Sequence, residues 1–159
     1  MDRKAKTFRE RVHEACKSVA MLTPDEAKRL LDAGGVLLID VGEEWQLRER
    51  GTIPGARNIT RGELEIKANT EEERRDPCLA ERQQKIILTC GGGGKATLSA
   101  GALQEMGFTD VSVIQGGCRG WQKAGCALEP YPAPISGIAS SRSGRERVAS
   151  AVSPSLRGA

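Results

Sequence analysis

The stretch Ile86-Ile87-Leu88-Thr89-Cys90-Gly91-Gly92-Gly93-Gly94-Lys95-Ala96-Thr97-Leu98 constrains the chain more than any other. An apolar, β-branched run enters a cysteine, four glycines follow, and Lys95 opens a segment with helical periodicity. The order is strand, tight loop, helix. A strand buried on both faces of a parallel sheet reads as an unbroken apolar run, and glycines accept the backbone angles of a cradle whose amides turn inward. Backed by a helix N-terminus, such a loop offers N–H donors to an anion at its centre. The atom placed there is the sulfur of Cys90. Amide donors and the helix dipole favour the charged form of a thiol, so Cys90 is expected to be substantially thiolate near neutral pH and to act as a nucleophile.

Other chemistries are narrowed by composition. The 159 residues suffice for one domain with extra segments at its ends. The formal charge of +3 resides from Ser136 onward, where Arg142, Arg145, Arg147 and Arg157 face Glu146 alone; the preceding residues balance. With five aromatic residues in the whole chain and no basic excess before the tail, nucleic-acid binding is not expected. No apolar run reaches membrane-spanning length, and the charged start, Met1 to Arg11, does not read as a signal peptide; a cytoplasmic location is the default expectation. Five cysteines without framework spacing argue for reduced thiols, and with His13 the single histidine and no C-x-x-C pair, no metal site or cofactor is expected.

Along the chain, Phe8, Val12, Ala15 and Val19 recur at helical spacing, which predicts an amphipathic helix over residues 4–20 that carries His13 at its surface. Thr23-Pro24-Asp25-Glu26 combines an N-cap, a first-turn proline and a capping-box glutamate, and Gly34-Gly35 ends the helix that follows. Val36 to Val41 is a second buried strand with Asp40 at its C-terminal end, where open parallel sheets build their sites. A helix closed by Gly51, a Pro54-Gly55 turn and a short strand follow. Residues 61–84 are charge-dense, and Glu71 to Arg75 reads as a solvated face or loop. A helix from Leu98 to Met106, a strand at Val111 to Ile114 and a last short helix after Gly116-Gly117 complete an alternation of strand and helix, hence a parallel α/β sheet with helices on both faces. Three segments are expected: an N-terminal helical extension (1–21), the α/β domain (22–130) and a flexible Pro/Ser/Arg-containing tail (131–159).

Taken together, Ile39-Asp40-Val41 with Glu43 and Trp45, Thr52 to Ile59, Cys90 to Lys95, Gly107-Phe108 with Val111, and Gly116-Gly117 with Trp121 resemble the single-domain rhodanese family of sulfurtransferases from about Leu22 to Pro130. The resemblance implies a five-stranded, mostly parallel sheet between two helical layers. It also implies that Cys90 takes the outer sulfur of a donor such as thiosulfate, holds it as a persulfide, and passes it to cyanide or a thiol, which a protein acceptor can also supply. Gly91, Gly92, Gly93 and Gly94 would bind substrate through their amides, and Lys95 would pair with the sulfonate end of the donor. One amide cradle serves both states, because a persulfide is an anion like its parent thiolate.

Two departures from the family pattern stand out. Gly42 occupies the place after Asp-Val where relatives commonly carry arginine, so one positive charge is expected to be missing. Cys118 follows the paired glycines where an aromatic is usual, and reads either as a second thiol that relays sulfur or as a small buried hydrophobe. Asp40 reads equally as an acceptor for the loop amides or as a helix cap. The alternatives are a non-catalytic docking or regulatory module, using the arginine-rich tail or the Glu71 to Arg75 run, and a phosphatase or arsenate reductase. The second wants five residues between cysteine and arginine, but Ala96 holds that arginine's place and the next arginine is Arg119.

Overall fold

The computed structural model describes residues 3–133. Along them run α1 (Phe8–Ala15), β1 (Ala20–Leu22), α2 (Pro24–Ala33), β2 (Val36–Asp40), α3 (Glu44–Arg50), β3 (Arg57–Asn58), α4 (Arg61–Lys67), β4 (Lys85–Thr89), α5 (Gly94–Glu105), β5 (Val111–Ile114) and α6 (Gly117–Lys123). Two single-turn 3-10 helices, Glu72–Arg74 and Pro77–Leu79, lie between α4 and β4. All five strands are parallel, in the spatial order β1-β5-β4-β2-β3.

Strand β4 shows how alternation builds two layers from one apolar run. Ile86 and Leu88 face a core formed with Leu64, Ala96, Ala100 and Leu103 of α4 and α5. Ile87 faces the opposite core, with Ala27 of α2 and Cys118 and Trp121 of α6. Both faces are covered, so every residue of β4 after Lys85 is buried. The sheet's central strands therefore end side by side, β2 at Asp40 and β4 at Thr89, and the loops leaving them meet at one edge.

Helix α2 begins on the Thr23–Glu26 capping box, as its sequence signature predicts. Two segments differ from expectation. The helix predicted over residues 4–20 ends at Ala15, because the chain turns at Cys16 and enters β1, an edge strand too short to show a period. The domain start placed at residue 22 thus falls on the last residue of β1, and the sheet reaches into the segment read as an extension. Within the charge-dense region, Leu64 and Ala68 lie one turn apart and bury the inner side of α4, while the Glu71–Arg75 run forms a 3-10 turn. Residues 134–159, most of the expected tail, lie outside the described residues. No helix among the described residues is long and apolar enough to cross a membrane.

Candidate active site

Cys90 follows the last residue of β4 and is 3% exposed. Gly93, at φ +97°, turns the chain into α5 and aims its N–H at the Cys90 sulfur, 3.1 Å away. A positive φ of this kind favours glycine strongly. Thr97 fixes the turn from inside the helix, its hydroxyl and its amide both donating to the Gly93 carbonyl at 2.8 and 3.0 Å. Among the described residues, the Gly93 amide is the one backbone donor bonded to the sulfur.

The loop is also tied from behind. The first amides of α6 donate to it, Cys118 N–H to the Cys90 carbonyl at 2.8 Å and Arg119 N–H to the Gly91 carbonyl at 3.1 Å. This close approach explains Gly116-Gly117. Both have positive φ, and a Cβ on Gly117 would collide with the Cys90 carbonyl oxygen while lying 2.8 Å from the Gly93 nitrogen.

Asp40 is wholly buried, and its carboxylate accepts four hydrogen bonds from nitrogen and oxygen donors. Its Oδ1 takes the Gly42 amide at 2.9 Å and Arg50 Nη2 at 3.1 Å; its Oδ2 takes Arg50 Nη1 at 2.9 Å and Thr52 Oγ1 at 2.7 Å. The loop amides are not among its donors, and the cap of α3 is Glu43, so neither role expected of Asp40 is the one it plays. It is the counter-ion of Arg50. A buried carboxylate needs such a partner, since the desolvation of an unpaired charge costs several kcal/mol. Arg50, 22% exposed, also donates to the Gly51 carbonyl at 2.6 Å and to the Cys118 sulfur at 3.2 Å. Burial acts to lower the basicity of this guanidinium. The hydrogen bonds and charge of Asp40, with smaller contributions from Cys118 and Cys90, outweigh that and hold it more firmly protonated.

Cys118 is buried in the same cluster, its sulfur 3.7 Å from Asp40 Oδ2 and 3.8 Å from Thr89 Oγ1. Burial, reinforced by the negative charge of Asp40 and only partly offset by Arg50, pushes its thiol up to about 11. A thiol kept neutral is a poor attacking group, because exchange proceeds through the thiolate.

Cys90 lines a cavity of about 520 Å³. Phe8, Arg9 and Val12 of α1, Gln46 of α3, Lys95 of α5 and Arg119 of α6 form its walls around the glycine loop. Three of these are cationic and none is acidic. Lys95, expected at the site, is there. Arg50, Arg119, Thr97 and the α1 residues were not identified by sequence reasoning. The buried Asp40 was the available signal for Arg50, since a strand-end carboxylate followed within ten residues by a basic helix end calls for that pair. The rest come together only through the fold.

The model of the rhodanese-like domain family matches residues 23–124. A rhodanese domain-containing protein of Drosophila melanogaster is 28% identical over 110 residues, which cover 66% of this chain and 99% of that one. A solved structure of a protein of unknown function, described as a possible tyrosine phosphatase, from Rhodopseudomonas palustris is similar at 30% identity and a TM-score of 0.74, covering 81% of this chain and 99% of that one. The human single-domain sulfurtransferase is similar in fold, at 23% identity and a TM-score of 0.59, covering 67% and 97%. With the matched segment carrying the whole sheet except the edge strand β1, and the Cys90 loop at its centre, this chain belongs to the rhodanese-like domain family.

Proposed function

We propose that the chain is a sulfurtransferase in which Cys90 carries sulfur as a persulfide between a small donor such as thiosulfate and an acceptor such as cyanide or a thiol, free or on a protein. The observation that carries this reading is Cys90 in the lining of a cation-lined cavity, with its sulfur bonded by the Gly93 amide at the head of α5. In the first half-reaction the Cys90 thiolate attacks the outer sulfur of thiosulfate. A Cys90 S–S bond forms, the donor's S–S bond breaks, and sulfite leaves with the electron pair. In the second, cyanide attacks the outer persulfide sulfur, thiocyanate leaves, and the thiolate returns. The donor supplies the oxidising equivalents, so no cofactor enters. Lys95 and Arg119, which line the cavity, would hold the sulfonate and offset the charge of departing sulfite, Lys95 as a point charge rather than a bidentate fork. No histidine is required as a base, and His13 is exposed on α1. Five free thiols suit a reducing, cytoplasmic setting.

Arg119 and the possible-phosphatase neighbour favour one second reading, hydrolysis of a phosphate ester. Against it, α5 begins at Gly94, so only three glycines separate the nucleophile from the helix, a small span to wrap a tetrahedral phosphate. Mass spectrometry after exposure to thiosulfate tests the reading. The wild-type protein is expected to gain one sulfur and Cys90→Ser none. An unmodified wild type would leave a docking module, and phosphate release from an aryl ester would establish the phosphatase.

A further inference from the structure

Helix α1 lies before residue 23, outside the family segment, yet it supplies one wall of the Cys90 cavity. It is fixed rather than loose. A Thr7–Glu10 capping box starts it, Lys6 pairs with Glu14, and in the turn that follows it the Ser18 carbonyl accepts from Gln104 of α5 at 3.0 Å. The contact with α5 depends on a missing side chain. A Cβ on Gly94 would stand 2.8 Å from Phe8 Cζ and 3.5 Å from Val12 Cγ2, so the bare backbone of Gly94 is the socket in which these side chains rest. Phe8 nevertheless remains 56% exposed, and with Val12 one turn later it lays an apolar strip along the mouth. Arg9, Lys95 and Arg119 complete the lining.

Resting on the sulfurtransferase reading, we propose that α1 is a specificity wall that selects sulfur donors with an apolar, preferably aromatic, body behind the anionic sulfur-bearing head. Thiosulfate, a compact dianion, engages the cations alone and leaves the Phe8–Val12 strip unused. A cavity of about 520 Å³ falls in the range of roughly 300–1,000 Å³ that holds larger organic ligands. An arenethiosulfonate matches both halves, its ring against Phe8 and its sulfonyl oxygens toward Lys95 and Arg119. The chemistry balances as for thiosulfate: the Cys90 thiolate attacks the terminal sulfur, the new S–S bond forms, the bond to the sulfonyl sulfur breaks, and arenesulfinate leaves with the electron pair. Cys90 is oxidised to the persulfide level and the donor is reduced.

The test compares benzenethiosulfonate with thiosulfate as donors to the full chain, cyanide being the acceptor and thiocyanate the product measured. The readout is the ratio of the two kcat/KM values, which cancels effects common to both donors. Phe8→Ala should lower the benzenethiosulfonate-to-thiosulfate ratio about tenfold, Val12→Ala by a smaller factor, and Phe8→Leu should retain most of it. A ratio unchanged in Phe8→Ala and Val12→Ala, with both donors still loading Cys90, overturns the assignment of α1 alone. If neither donor places sulfur on wild-type Cys90, the sulfurtransferase reading falls and this inference with it; if thiosulfate loads Cys90 and benzenethiosulfonate does not, the inference falls alone.

Discussion

The guanidinium of Arg50 stands in the space a side chain at Gly42 would occupy, its Nη2 lying 2.8 Å from where a Cβ on Gly42 would sit. The sequence pattern implies that a cation is lost at this position; the end of α3 restores one, anchored on Asp40. Arg50→Met should therefore cost about 3 kcal/mol or more, because it leaves the Asp40 carboxylate buried without its counter-ion. Urea denaturation should show this loss, and adding Asp40→Asn should recover part of it. A cost below about 1 kcal/mol would mean that the pair does not hold this end of the sheet together.

Cys118 is expected to stay unmodified by iodoacetamide in the native chain at pH 8. A thiol pushed up to about 11 is ionised there to only about one part in a thousand. Cys118→Ala should accordingly retain sulfur loading of Cys90. Loss of loading with the fold intact would instead make Cys118 a relay.

Gly117→Ala should be among the most damaging single-methyl additions in the chain. Its φ of +58° penalises any Cβ, by about 1–2 kcal/mol, and the added carbon would drive into the Cys90 carbonyl, a backbone atom that cannot turn aside. A fall in melting temperature together with loss of persulfide formation is the expected result. For comparison, Gly62→Ala places its Cβ in open space and should be nearly neutral.

For the donor cations, Lys95→Ala should raise the thiosulfate KM several-fold with a smaller change in kcat. Arg119→Ala should act in the same direction. Steady-state kinetics with cyanide checks both, and unaltered constants would remove the residue concerned from donor binding.

A pH effect is expected away from the site. Although burial acts to raise it, the Cys78 amide and thiol and the Arg57 guanidinium bring the Asp76 carboxyl down from an ordinary 3.8 to about 2. A lowered folded-state value adds stability that is present above about pH 4 and is lost as the pH falls through 2. Arg57 is 49% exposed, so solvent screening limits the contribution to the order of 1 kcal/mol. The pH-dependent part of the stability difference between wild type and Asp76→Asn should shrink between pH 4 and pH 2. Parallel curves across that window would refute it.

What was readable in the chain beforehand was what is contiguous in it. The passage from Ile86 through the glycines into α5 announces itself because period, composition and breaker residues fall in one line, and the Thr23–Glu26 box does so for the same reason. The strand β1 did not, since Ala20 to Leu22 span less than two alternations. Arg50 and Arg119 were equally hidden. Arg50 reaches the site from the last turn of α3 and Arg119 from the first turn of α6, positions that leave no local pattern, and the vacancy at Gly42 looks in sequence like a charge deleted rather than one displaced. The Phe8 socket is legible only as a distance, because nothing in the letters sets residue 8 against residue 94.

The loop around Cys90, Gly91 to Gly94, is made of residues that carry no side chains. Main-chain hydrogens bind anions but read almost nothing else about them, so on the sulfurtransferase reading discrimination among cargoes falls to side chains of α1, α3 and α6 and to Lys95 of α5. Changes confined to those lining side chains can retune what the cysteine is offered, and leave untouched the backbone that holds it.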